Sequence, residues 1–438
     1  MTTPILDFVR SYAASGVSRL HMPGHKGRGA LGCEQYDITE IAGADDLSCP
    51  EGIIQESEHN AGKIFATRAT FYSTGGSSQC VKAMLLLASR RSASRVVLAA
   101  RNAHRSFIHG CALLGLEPRW LGRGGAPLPS CRLSAEDIAS AVDGMAEKPC
   151  AVYITSPDYL GGMAETAIIA QITRERGVPL LLDGAHGAYL DVLSAGHNSC
   201  QPDLWCASAH KTLGVLTGGA YLHVGRNALS DYENDAKEAL GVFGSSSPSY
   251  LVMASLDAAN GQFSDGFADS LNFFTGKVED LKRRLSGSGV PVAESDPLRI
   301  TIAAHKAGYS GYELAARLRE HGCECEFADP DWLVMMLTPE NDKRDFERIS
   351  AAFADFLPRA PRQALTVPPP GEAVMTPRES LLAAREIVPV SEAAGRVMAS
   401  AAVTCPPAVP IAVMGERITS EQAELMLKYG ITSVEVVI

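Results

Sequence analysis

The sequence predicts an α/β protein built on a mainly parallel sheet with helices on both faces. Three observations carry this. Short apolar runs, each the length of a buried strand, recur at 95–100, 151–155, 178–183, 203–207 and 218–224. Segments of helical periodicity lie between most of them, as parallel strands require. The runs end in polar clusters such as Arg101-Asn-Ala-His104 and Ser208-Ala-His-Lys211, where open parallel sheets place their ligands.

A chain of 438 residues, 46% hydrophobic and 20% charged, can bury a large core in two to three domains. Its net charge of −11 argues against a nucleic-acid partner or an anionic membrane surface, and mildly favours cationic small molecules. The eleven cysteines are scattered, with Cys323-Glu-Cys325 the one close pair, a pattern of reduced thiols in a cytoplasmic protein. The N-terminus carries no signal-peptide pattern, and no apolar run approaches the ~18 residues of a membrane span.

Taken in order, residues 1–20 read as a short amphipathic helix, with Ile5, Phe8, Val9 and Tyr12 at helical spacing and Gly16 as its end. His21-Met-Pro-Gly-His25-Lys26 is a tight turn. Pro23 and Gly24 break the helix that would align the two histidines, so no metal is expected there. Residues 37–60, with Asp37-Ile-Thr-Glu40, Asp45-Asp46-Leu47 and Pro50-Glu-Gly52, read as a polar arm without helix or strand, either exposed or lending carboxylates to a site. In Phe71-Tyr-Ser-Thr-Gly-Gly-Ser-Ser-Gln79 a Gly/Ser turn leads into a helical stretch at 81–88. Such a turn suits a phosphate and equally suits a plain N-cap.

After the strand at 95–100 come a helix near 107–115, a strand near 118–121, a loop at 122–127 and a helix capped by Ser134. The strand at 151–155 ends in Ser156-Pro-Asp-Tyr-Leu-Gly-Gly162, and a helix near 166–176 leads to the strand ending at Asp183. Residues 244–250 form a hydroxyl-rich turn before a helix at 251–256. From about 270 to 357 a smaller α/β unit follows: helices at 271–285 and 311–318, strands at 298–302 and 332–337, and a final helix. Proline-rich stretches at 358–361 and 367–371 link it to a last module with helices from Pro377 and over 420–429 and an end strand at 433–438. The expected divisions are an N-terminal helix and arm (1–60), a large domain (61–270), a small α/β domain (271–360) and a linker with a C-terminal module (361–438).

Asp183 and Lys211, 28 positions apart, leave room for a strand end, a connection and a second strand. An acid and a lysine delivered from neighbouring strand ends suit a pyridoxal 5'-phosphate (PLP) enzyme. The lysine holds the cofactor as a Schiff base, and the acid keeps the pyridine nitrogen protonated. On this pair alone an aminotransferase or another PLP lyase fits as well.

Further motifs narrow the field: His21-Met-Pro-Gly-His-Lys, Asp37-Ile-Thr-Glu, Asp45-Asp-Leu, Arg101-Asn-Ala-His-Arg-Ser, Asp183-Gly-Ala-His-Gly, Ser208-Ala-His-Lys, Ser247-Pro-Ser-Tyr, Thr376-Pro-Arg-Glu and Ala394-Gly-Arg. With them the chain resembles, nearly end to end, the bacterial ornithine/lysine/arginine decarboxylases of PLP fold type I, in the short form lacking an N-terminal receiver-like domain. The resemblance implies an aminotransferase-like large domain, a smaller α/β domain and a C-terminal α+β decarboxylase module. It also implies a homodimer or higher homo-oligomer, and decarboxylation of lysine, arginine or ornithine to the amine and CO2, in amino-acid metabolism and polyamine biosynthesis.

Position by position, the resemblance implies that Lys211 forms the Schiff base and Asp183 pairs with the pyridinium nitrogen. His104 stacks on the ring, Ser77 and Ser78 with Ser208 and His210 hold the phosphate, and His186 sits beside the ring. Lys211, His210, His104 and His186 are the catalytic candidates, with Lys211 or His210 returning a proton to Cα. Asp45, Asp46 and Glu326 are candidates to face the distal cation of the substrate, and residues 245–247 are expected to reach the cofactor phosphate of a partner subunit.

The chain departs from the family pattern at several points. Gly75 stands in a turn that usually carries asparagine, and so removes a side-chain amide that orders the loop. Residues 156–162 replace a proline-threonine-tyrosine stretch. In the last module Cys405, Ala408 and Met414 stand where an aromatic, a glycine and a proline are common. The rival readings are another fold-type-I enzyme, for which Arg299 offers a carboxylate clamp, and a diverged PLP-binding regulatory paralogue without turnover.

Overall fold

The computed structural model describes residues 1–121, 133–193, 201–264, 266–401 and 410–438. The loop expected at 122–127, Cys405 and Ala408 lie outside the described residues. The first elements are α1 (Pro4–Ala14), α2 (Ile53–Ile64), β1 (Ala69–Ser73), α3 (Gly76–Ser89), β2 (Val96–Ala100), α4 (Arg105–Leu114), β3 (Glu117–Leu121), α5 (Ala135–Asp143) and β4 (Ala151–Thr155). Then come α6 (Thr166–Glu175), β5 (Leu180–Asp183), α7 (Ala188–Leu193), β6 (Leu204–Ala207), α8 (Ala209–Thr212), β7 (Ala220–Val224), α9 (Ala236–Val242) and α10 (Tyr250–Phe263). The rest of the chain forms α11 (Phe267–Gly287), β8 (Val292–Ala293), β9 (Arg299–Ile302), α12 (Gly311–Glu320), β10 (Phe327–Ala328), β11 (Leu333–Met336), α13 (Lys343–Ala352), α14 (Pro377–Leu382), β12 (Arg385–Pro389), α15 (Ser420–Lys428) and β13 (Ser433–Val437).

Seven strands form one sheet in the order β1-β7-β6-β5-β4-β2-β3. β5 and β6 run parallel, as do β2 and β3, whereas β7 is antiparallel to both β6 and β1. Every residue of β5 and β6 is buried, which explains their unbroken apolar runs: a parallel strand covered on both faces has no solvent side to encode.

By contact density the chain divides into two compact units. The first comprises Met1–Ser94, Cys150–Val152 and Thr166–Asp269. Here α1 is anchored by the carboxylate of Asp257 on α10, which is fully buried and accepts the N–H groups of Ile5 (2.9 Å) and Leu6 (3.0 Å) and the Ser57 hydroxyl. It satisfies first-turn donors that Thr3, whose side chain makes no cap, leaves open.

The arm at 37–60 is a correction to the sequence reading: its last part is helical, because α2 begins at Ile53. Gly52, at the N-cap, has no side chain to cap with. Asp45 does so instead, its Oδ2 accepting from Gly52 N (2.9 Å) and Ile54 N (2.9 Å) and its Oδ1 from Glu51 N (3.0 Å) and Asp46 N (2.9 Å). A cap delivered from so far upstream leaves no local start signal. β1 was not expected either. It is a short edge strand of mixed polarity, paired with β7 from Ala69↔Val224 to Ser73↔Ala220.

The second unit comprises Arg95–Pro149, Tyr153–Glu165 and Ser270–Ile438. Ser134 opens α5 through a full capping box with Asp137, as its spacing predicts. The strands expected at 298–302 and 332–337 are present as β9 and β11, in an antiparallel four-stranded sheet of order β10-β11-β9-β8. At the C-terminal end β12 and β13 pair antiparallel over a small core that includes Val390, Met398, Ile418, Met426 and Val436. β12 escaped the sequence reading because Arg385, Glu386 and Ile387 are all exposed, which removes the alternation that marks a strand. Arg101, at the end of β2, makes a buried bidentate pair with Glu416 (2.5 and 2.7 Å), its guanidinium carbon 4.8 Å from the centre of the Trp120 ring.

Two outcomes are expected. Burial pushes the Asp257 carboxyl up to about 6, above the ~3.9 of an unfolded aspartate. The native state therefore holds this proton more tightly, so the group's contribution to stability is full below pH ~4 and is lost as pH rises through about 6. Asp257→Asn should remove that dependence, and Asp257→Ala should cost about 2 kcal/mol through its lost acceptors; urea midpoints at pH 5 and pH 8 measure both. Glu416→Ala leaves a buried guanidinium uncompensated and should cost about 3–5 kcal/mol in thermal or urea unfolding.

Candidate active site

Four of the candidate residues of the first unit, Asp183, His186, His210 and Lys211, lie just at or beyond the ends of β5 and β6. Asp183 closes β5 and is 3% exposed; its Oδ1 accepts from Ala185 N (3.1 Å). The next turn brings His186, also buried, and its Nε2 lies 3.0 Å from Lys211 Nζ. Lys211 sits on α8, the short helix that follows β6, so its position is set by the helix start at Ser208. His210 Nδ1 is 2.9 Å from the carbonyl of Gly219. A carbonyl only accepts, so Nδ1 carries the proton and Nε2 is left as the ring's acceptor in its neutral form.

Ser208 is fully buried and Thr212 nearly so. Among the described residues, neither Ser208 Oγ nor Thr212 Oγ1 has a hydrogen-bond partner. A buried hydroxyl without a partner is costly, and one beside a lysine and a histidine suits an anionic group. Ser77 and Ser78 lie half-buried in the first turn of α3, where backbone N–H groups are open and the helix dipole is positive. The preceding loop is clasped from the β7 side: Gly76 N donates to Gly218 O (2.9 Å), and Gly76 packs beside His210. PLP fits this set. Lys211 would supply the amine for its aldehyde, Asp183 the carboxylate for its ring nitrogen, and the unpartnered Ser208 hydroxyl, with the Ser77 and Ser78 hydroxyls at the start of α3, the donors for its phosphate.

A residue that the sequence reading missed is Cys206. Paired directly across from Asp183 in the β5·β6 register, it donates its thiol to Asp183 Oδ1 at 3.5 Å. Burial, and then the Asp183 charge, raise its pKa well above the ordinary thiol value. Cys80, buried on α3, is pushed up to about 12, chiefly by burial. The signal was available in principle, since two strand-end residues of parallel neighbours face each other, but only once the register is known.

Asp45 has its carboxylate filled by backbone donors, as described above. Asp46 Oδ1 accepts from Ser48 N and Oγ (2.8 Å each), and the residue lines a cavity of about 590 Å³ with Glu40, Lys237, Ser245 and Ser246. The remaining candidates belong to the second unit. His104 is the N-cap of α4; its Nδ1 accepts from Ser106 N (3.2 Å), which fixes the ring while leaving the residue exposed. Glu326 accepts from the Tyr159 hydroxyl at 3.1 Å. Arg299 is 1% exposed and donates to the carbonyls of Asp158 (2.5 Å) and Tyr159 (3.0 Å), with Asp296 at 3.3 Å. Its guanidinium holds the 156–162 loop from inside and does not face solvent as a substrate clamp would. Among the described residues no cluster of metal-ligating side chains occurs.

A strand-end acid across from a lysine-bearing turn, on this sheet order, places the chain among the PLP-dependent enzymes of fold type I. The chain belongs to the Orn/Lys/Arg decarboxylase family. Residues 3–271 match the family's major domain and 360–432 its C-terminal domain. It is therefore a PLP-dependent decarboxylase of basic amino acids. Similar proteins include the uncharacterized YaaO of Bacillus subtilis strain 168, 28% identical over 97% of this chain and 93% of that protein. The arginine decarboxylases of the same strain (26%; 97% of this chain and 93% of that one) and of Halalkalibacterium halodurans (27%; 95% and 91%) are also similar. Among solved structures, the constitutive lysine decarboxylase of E. coli superposes with a TM-score of 0.80 at 17% identity, over 100% of this chain and 82% of that one. No helix of the described residues is long and apolar enough to cross a membrane.

The thiol environment gives a direct check on this pocket. At pH 8, an alkylating reagent should modify the exposed Cys49 readily, and modify Cys80 and Cys206 only on unfolding, as read by peptide mass mapping.

Proposed function

We propose that this chain decarboxylates L-arginine in particular, with Lys211, Asp183, His186 and Ser208 as the working group of its PLP site. The observation that carries the site is the 3.0 Å approach of Lys211 Nζ to His186 Nε2 beside the buried Asp183. The choice of arginine is supported by the relatives named arginine decarboxylase, which are similar over nearly the whole chain.

Lys211 would hold the cofactor aldehyde, Asp183 the ring nitrogen, and Ser77, Ser78 and Ser208 the phosphate. Bound there, PLP supplies an electron sink for the pair released when the Cα–carboxylate bond breaks. Asp183 keeps the ring nitrogen protonated, and Cys206 holds one of its oxygens in place. Once CO2 has left, Lys211 returns a proton to Cα, and His186, within hydrogen-bond reach of the same amine, restores it. Asp46, with a wall of the 590 Å³ cavity and an oxygen not engaged by Ser48, is the carboxylate we assign to the distal guanidinium. Asp45 serves the arm. The active form is a homo-oligomer, in keeping with the hydroxyl-rich 245–247 segment that the family resemblance directs to a partner's phosphate, and it works in the cytoplasm in polyamine synthesis.

The test is CO2 release by PLP-loaded protein offered arginine, lysine, ornithine and a neutral amino acid. Release from arginine alone is expected. Release from lysine or ornithine alone would move the substrate, and keto-acid formation without CO2 would remove the decarboxylase reading. Lys211→Ala should lose at least about a thousandfold in turnover together with the visible absorbance of the bound cofactor.

A further inference from the structure

The phosphate loop lacks the side-chain amide expected at position 75, and the structure shows an amide brought there from elsewhere. Gln79, on the first turns of α3, is 8% exposed. Its Oε1 accepts from Ser73 Oγ (2.6 Å) and from Gly75 N (3.1 Å), while its Nε2 donates to Leu240 O (2.8 Å) at the end of α9. One amide thus ties the end of β1, the loop backbone and α9 together.

The glycines around it are shaped by this side chain. Gly75 has φ −100° and ψ 13°, a conformation open to any residue, so its backbone does not require glycine. A Cβ there would instead stand 2.7 Å from Gln79 Oε1 and 3.2 Å from Gln79 Cβ. A Cβ on Gly244 would collide with Gln79 Nε2. Gly76 is different: its φ of +70° calls for glycine on its own account.

We propose that Gln79 is the positioning residue of the cofactor-phosphate loop, in exchange for the amide lost at Gly75. The side chain touches neither cofactor nor substrate in this role. It fixes Ser73 and Gly75 so that the hydroxyls and N–H groups of Ser77 and Ser78 face one anion. The inference rests on the reading of Ser77 and Ser78 as phosphate ligands.

The experiment measures PLP affinity of the full chain, stripped of cofactor and titrated by absorbance, with the ³¹P resonance of bound PLP as a second readout. Gln79→Ala should weaken PLP binding about tenfold. Gly75→Asn should weaken it too, because the new side chain meets Gln79. The double variant Gly75→Asn/Gln79→Ala should bind PLP more tightly than Gly75→Asn alone, so that removing Gln79 harms one background and helps the other. General destabilisation predicts no such reversal of sign. The proposal is overturned if Gln79→Ala binds PLP like the unaltered protein, or if the double variant binds no more tightly than Gly75→Asn. A Ser77→Ala/Ser78→Ala variant separates the two claims. If it binds PLP normally, the phosphate reading falls and the inference with it; if it binds weakly while Gln79→Ala does not, the inference alone falls.

Discussion

The parallel pairing of β5 with β6 is the constraint on which the site depends. Its register sets Asp183 against Cys206 and Leu181 against Leu204, and a slip of one residue would turn Asp183 to the other face of the sheet. Both ends are pinned. At one end Gly184 N donates to Cys206 O at 3.0 Å. At the other, the fully buried Asp203 accepts from Leu180 N (2.9 Å) and Leu229 N (2.7 Å). Burial raises the Asp203 pKa, and both its oxygens are engaged by backbone N–H groups, so it holds the strand starts from which Asp183 and the turn carrying Lys211 follow.

Against this scaffold, most buried polar groups of the first unit are visibly employed. Glu58 accepts from Tyr72 N (2.8 Å) and pairs with Lys237; Asp257 holds α1; Asp45 holds α2. Such groups are costly to bury unless partnered, so full partnering marks them as structural. Among the described residues Ser208 Oγ and Thr212 Oγ1 break the pattern beside Lys211, as does His223 Nε2 on β7; the two hydroxyls are neighbours of a lysine, which is what suits them to an anion.

The parts of the fold that could be read from sequence were those with an unbroken signal: the apolar strands β2, β4, β5, β6 and β7, the capping box of α5 and the helix α3. The positions of Asp183 at the end of β5 and Lys211 just after β6 were legible because strand ends are visible as changes of polarity. What stayed hidden depended on partners distant in sequence. α2 is capped by Asp45, seven or more positions upstream of the N–H groups it serves on Gly52 and Ile54. β12 is recognised as a strand only through its pairing with β13. Cys206 requires the register and Gln79 requires the fold of the loop, since a glutamine four residues after a glycine carries no signal of its own. Asp45 looked like a candidate for substrate because a carboxylate in a polar arm advertises charge but not the backbone donors that will surround it.

The strand-end pair of acid and lysine does not by itself decide which bond of an amino acid breaks. That choice lies with the groups that orient Cα and receive the carboxylate. In decarboxylation the carboxylate loses its charge as CO2 forms, so a guanidinium clamped on it would stabilise the ground state more than the transition state and slow the step. Arg299 was the one arginine singled out for such a clamp. The structure instead spends it on the carbonyls of Asp158 and Tyr159 and on Asp296, inside the second unit. The loop it braces is one of the stretches in which the sequence departs from the pattern of the family it resembles. The same buried guanidinium therefore braces the 156–162 loop, and its contacts there are those of a structural arginine, not of the carboxylate clamp that transamination favours.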